Sequence, residues 1–150
     1  MKPLASACCM LLFSMTFLIT SAQSVAPGRA FFTAYPDVIN CNSAALDNIF
    51  NAEENETVNI PLATGFSFAG TVTCNVIKYS NLQSVIVKSP AFGNAIFSIS
   101  KRTNPDNSIT FVGRILNQSY TDGYELKCDA KGNYRLIKIQ LANVIQTCTQ

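Results

Sequence analysis

The chain has 150 residues, a formal net charge of +2, 48% hydrophobic and 13% charged residues, six cysteines, and neither histidine nor tryptophan. That length suits one domain with a real core. The missing histidine excludes a Ser-His-Asp triad, a Cys-His pair and any histidine-ligated metal, and the missing tryptophan excludes a Trp-lined sugar platform. The balanced charge, without a basic run, excludes the concentrated basic face that nucleic-acid binding needs.

The N-terminus has the pattern of a cleaved secretory signal. Lys2 precedes an apolar run from Met10 to Ile19, and the small residues Thr20-Ser21-Ala22 follow it. Such a run is too short for a comfortable membrane span of about 20 apolar residues, so cleavage after Ala22 is expected, with no span afterwards. Cys8 and Cys9 leave with the signal. Cys41, Cys74, Cys128 and Cys148 remain, and four cysteines in an exported chain read as two disulfides. Three pairings are open; Cys41 with Cys148 and Cys74 with Cys128 are the expected ones. No CxxC pair is present, so a structural zinc site is not expected, and no other metal or cofactor is implied.

Residues 23–41, QSVAPGRAFFTAYPDVINC, carry Pro27, Gly28 and Pro36, which oppose regular structure. Phe31, Phe32 and Tyr35 lie between them. Two roles are open: an extended arm whose aromatics are buried on the domain, or an arm that offers Phe31, Phe32 and Tyr35 to a partner. At 42–51, Asn42 or Ser43 can cap a short helix that places Ala45, Leu46, Ile49 and Phe50 on one face.

From Thr57 onward the period becomes two. Strands are predicted at TVNIPL, FSFAGTVTCNVIKY, LQSVIVKS, NAIFSISKR, SITFVGRIL, GYELKC and NYRLIKIQL, separated by Gly, Asn, Asp and Pro turn residues. Pro61 puts the first of them near an edge. The second has Phe66, Phe68, Val72, Cys74 and Val76 in alternation on one face. The predicted fold is mainly β: an antiparallel meander of six to seven strands forming a small barrel or sandwich, with one short N-terminal helix. The organisation is signal peptide 1–22, arm 23–41 and a single β-domain 42–150. Phe, Val and Ile occur on both faces of several strands, which suggests that the arm and helix cover the outside of the sheet.

Asp122, Glu125 and Asp129 form the one compact acidic group on the strands. Carboxylates alone can hydrolyse glycosides, but Asp122 beside Gly123 and Asp129 at a strand end are ordinary turn residues. Glu125 and Lys127 share the face opposite Tyr124, Leu126 and Cys128, and Arg114 is placed to pair with Glu125 across the sheet. The stretch 111–129 therefore reads as a hairpin corner, and no catalytic residue is assigned. Asn55 and Asn117 head N-glycosylation sequons, which matter in a eukaryotic secretory pathway only.

The segments GTVTCNVIKYSNLQSVIVKS, FSISKR, GRILN, DGYEL and GNYRLIKI, in that order, resemble a group of small exported β-proteins of Bacteroidetes. The likeness runs roughly from Leu46 to Cys148 and implies fold and export without any transferable catalytic residue. The same plan is more loosely similar to potempin-type metallopeptidase inhibitors, compact β-barrels whose N-terminal segment enters a protease cleft. A secreted, periplasmic or extracellular non-enzymatic binding module is the resulting expectation, with a secreted peptidase as its protein partner and the arm as the inhibitory segment. A structural or adhesive β-domain and a small-ligand-binding barrel are the alternatives.

Overall fold

Seven runs of alternating residues become seven strands, and the arm supplies an eighth. The structure, a computed structural model, describes residues 28–142; the signal-peptide expectation for 1–22 and the pairing of Cys148 lie outside them. The strands are β1 (Val38–Cys41), β2 (Thr57–Ala63), β3 (Phe66–Tyr79), β4 (Leu82–Ser89), β5 (Ala95–Thr103), β6 (Ile109–Leu116), β7 (Asp122–Cys128) and β8 (Tyr134–Gln140). A short helix, α1 (Ser43–Asn48), and a 3-10 turn, Ile49–Asn51, join β1 to β2. Asn42 caps α1, its side-chain oxygen accepting the Ala44 N–H at 2.9 Å.

All pairings are antiparallel, in the order β1-β8-β7-β6-β5-β4-β3-β2. The curled sheet brings β1 back beside β2, where the Asn42 N–H donates to the Leu62 carbonyl at 2.8 Å. The result is a nearly closed eight-stranded barrel. β2, with Pro61, is one of the two terminal strands, where a missing N–H costs no ladder bond. The turns use the backbone conformations their residues permit: Gly93, Asn107 and Gly132 all take positive φ.

Inward positions fill the barrel. Phe68, Val72, Val85, Val87, Phe97, Ile99, Ile115, Tyr124 and Leu136 have no accessible surface. An interior of eight strands is just wide enough for side chains to fill, and the aromatic content does so here.

Three expectations change. The boundary at 41/42 falls at the end of a barrel strand, because Val38–Cys41 pairs with Tyr134–Ile137 of β8; the non-strand part of the arm stops at Asp37. The register of β3 shifts between Val72 and Cys74. One extra residue reverses the alternation beyond it, so Cys74 and Val76 leave the face of Phe66, Phe68 and Val72, and Asn75 turns inward instead. Neither arm nor helix lies on the outside of the sheet. They close its two ends: 31–37 packs beside Phe66, Phe92 and Tyr124 at one mouth. At the other, Phe50 stacks on Phe111.

Candidate functional site

The arm is fastened by its backbone. Asp122, itself buried, accepts the Phe31 N–H at 2.7 Å on one carboxylate oxygen and the Phe32 N–H at 2.8 Å on the other. Charge-assisted bonds of this kind are about twice as strong as neutral ones. The Tyr124 hydroxyl donates to the Pro36 carbonyl at 2.6 Å, and Lys138 donates to the Tyr35 carbonyl at 2.7 Å and the Asp37 carboxylate at 2.8 Å. Burial first, then the negative charge of Asp37 and Asp122, pushes the Tyr124 hydroxyl up to about 12.

These contacts decide what the three aromatic candidates can offer. Phe32 is 0% exposed and touches the rings of Phe31, Tyr35, Phe92 and Tyr124. Phe31 and Tyr35 pack against the same cluster and keep part of their surface in solvent. An inserted Phe32 would have to leave the core, at a cost of several kcal/mol.

The acidic group has structural work throughout. Glu125 bonds Arg114 at 2.8 Å and Lys127 at 2.6 Å, which hold its carboxyl below the usual range. Asp129 accepts the Lys131 and Asn133 N–H groups, both at 2.9 Å, and closes the β7–β8 turn. Among the described residues no three His, Cys, Asp or Glu side chains are grouped to hold a metal. The Asn117 side-chain amide is engaged as well, donating to the Gly93 carbonyl at 2.6 Å.

Cys41, Cys74 and Cys128 are not joined to one another. The expected Cys74–Cys128 bond is ruled out by topology: β4, β5 and β6 lie between their strands. Cys41 and Cys128 both stand opposite Tyr134, one on each side. Two strand spacings, about 10 Å, exceed the ~7 Å limit for a disulfide. Burial pushes the Cys41 thiol up to about 11.

Two exposed surfaces stand out among the described residues. The first is a groove of about 1110 Å³ on the outer face of β5, β6 and β7, lined among others by Ile96, Val112, Leu116, Gln118 and Cys128. Strands β6 and β7 pair only from Gly113 to Ile115 and from Tyr124 to Leu126. Before Gly113 they part, and the Phe111 N–H finds the Tyr134 hydroxyl at 3.1 Å instead of a β7 carbonyl. The second is the tip of the β3–β4 hairpin, where Ile77 is 71% and Tyr79 69% exposed. At 14 residues β3 is the longest strand, and the floor of the helix mouth stops short of its end. There Asn75 donates to the Phe50 and Ala52 carbonyls, and Gln83 donates to the Phe50 carbonyl and the Asn75 side chain. Ile77, opposite Gln83, lies beyond that floor.

Sequence reasoning found the arm's aromatics but missed Asp122, since an Asp before Gly looks like any turn residue. It also missed the groove, which depends on where two strands part. No family model, curated protein or solved structure matches this chain.

Proposed function

We propose that this protein is an exported, non-enzymatic protein-binding module that meets its partner with the β3–β4 hairpin tip. The observation that carries this is the pair Ile77 and Tyr79, a bare aliphatic and a bare aromatic side chain on a strand-paired hairpin that runs past the floor of the barrel. Aromatic anchors dominate interface energetics, and a hairpin already held by cross-strand pairing loses little entropy on binding. Lys78 at the tip and Arg102, paired with Leu82, add positive charge beside it. The compact acids are all committed to turns, ion pairs or the arm, which supports binding over catalysis.

The extended cleft of a secreted peptidase is the partner class to test, with the hairpin tip in the role first considered for the arm. Wild type and an Ile77→Ser/Tyr79→Ser double variant should be titrated against metallo-, serine and cysteine peptidases. One class should be inhibited by the wild type and at least tenfold less by the variant, a loss of about 1.4 kcal/mol, while the melting temperature stays within error. Equal inhibition by both proteins would remove the tip from the interface, and inhibition of no class would remove peptidases as the partner.

A further inference from the structure

The groove on the outer face of β5, β6 and β7 carries an unbalanced charge. Lys88, Arg114 and Lys127 line it against one carboxylate, Glu125, so three cations less one anion leave a net charge of +2. Glu125 is shared between Arg114 and Lys127, whose side chains stay 47% and 55% exposed. Among the described residues Lys88 has no ion-pair partner. Bare apolar side chains lie between these charges: Ile96 is 42% and Val112 59% exposed.

Strand pairing sets the order of these groups. Lys88 on β4 pairs with Ile96 on β5, which pairs with Leu116 on β6. Two residues back along β6 stands Arg114, opposite Glu125. Two further back stands Val112, and Lys127, next after the Leu126 that faces Gly113, comes to the same level. The cations therefore run diagonally from β4 to β7, three strand spacings across and four residues along. At about 4.8 Å per strand and about 3.3 Å per residue the line is roughly 20 Å long, the reach of about six extended residues. The volume of about 1110 Å³ likewise passes the range of roughly 300–1,000 Å³ typical of small-molecule pockets. Phe111 and Leu126, side chains of the barrel interior, reach the lining where β6 and β7 part, so the Lys127 end has an apolar floor.

We infer that this groove binds an extended acidic segment of another protein. Its carboxylates meet Lys88, Arg114 and Lys127, and its apolar side chains cover Ile96 and Val112. The occupant is chosen by charge complementarity together with the apolar spacing. A small anion would meet one cation and leave most of the groove wet. A flat anionic membrane would not follow a concave site. An anionic polysaccharide would satisfy the cations but set hydroxyl groups against Ile96 and Val112. Extended peptide turns successive side chains to opposite sides, so one short segment can offer carboxylates and apolar groups in turn. The groove shares no residue with the hairpin tip, so this second surface does not depend on the partner proposed for the first.

The probe is a short peptide of alternating Glu and Leu with a neutral dye, and its binding to the full chain is read by fluorescence anisotropy at low salt. The same peptide with Gln in place of Glu should bind at least about tenfold more weakly, and so should the Glu–Leu peptide to a Lys88→Gln/Lys127→Gln variant. Ile96→Thr/Val112→Thr, which keeps the branched shape that strands favour, should weaken Glu–Leu binding at least about fivefold. Both variants should melt at the wild-type temperature. No binding by the wild type overturns the inference, and equal binding by the lysine variant overturns the groove as the site. If heparin binds as tightly as the peptide and the threonine variant loses nothing, the occupant is a plain polyanion and the peptide assignment falls. Because the hairpin tip is assayed with different substitutions, either proposal can fail alone.

Discussion

The two mouths of the barrel are closed in different ways. At the helix mouth the plug is local in kind: a capped helix turns Leu46, Ile49 and Phe50 inward, and one ring stack plus two amide side chains complete the floor. At the arm mouth a single 3-10 turn, Phe32–Ala34, is fastened to the barrel by distant residues. Phe31 and Phe32 meet Asp122 some 90 positions away, Pro36 meets Tyr124, and Tyr35 meets Lys138. The helix plug follows from a periodic pattern that buries apolar surface. The arm plug depends on one buried carboxylate that satisfies two backbone donors where no helix or sheet does so.

The largest effect expected is at the arm's fully buried ring, which touches four others. Phe32→Ala should cost about 4 kcal/mol and Phe50→Ala about 3 kcal/mol, within the 3–5 kcal/mol typical of buried phenylalanines. Urea unfolding of both variants measures the difference, and a greater cost for Phe50→Ala would break the asymmetry drawn here.

Next comes the carboxylate. Asp122→Ala strands two N–H groups, one of them fully buried, and should cost about 2–3 kcal/mol. Faster amide exchange should appear at Phe31 and Phe32 and not at the helix mouth. Should protection fall equally at both ends, the mouths are one cooperative unit.

The smallest effect is absent at neutral pH. Cys41, beside the helix mouth, is raised from 9.0 to about 11, and Tyr124, at the arm mouth, from 10.0 to about 12. Above the ordinary value the unfolded chain loses each proton before the folded chain does. Stability is therefore unaffected below about pH 9 and falls as pH rises toward 11 to 12. Chemical denaturation from pH 7 to 12 checks this. Cys41→Ala should flatten the onset near 9, and Tyr124→Phe the portion above 10; a flat wild-type profile would contradict both.

Much of the barrel was legible beforehand. β2 to β8 appear within about a residue of their predicted ends, because alternation and turn residues act over short range. β1 was not, since four residues between Pro36 and the helix carry too short a pattern. The reversed face of Cys74 and Val76 follows from a bulge, and a bulge is set by the partner strand's register. For the arm, the sequence favoured burial but left display open, because an aromatic side chain serves a core and an interface by the same physics.

The sequence by itself determined that this is an antiparallel β-domain with one capped helix, and that histidine chemistry is absent. Hydrophobic period and turn conformation are local properties of the chain. Only the tertiary structure decided that the sheet closes, that arm and helix plug opposite ends, that Phe32 is core while Ile77 and Tyr79 are bare, and which cysteines can meet. Each of these depends on contacts between residues tens of positions apart, whose geometry exists only once the strands are in register.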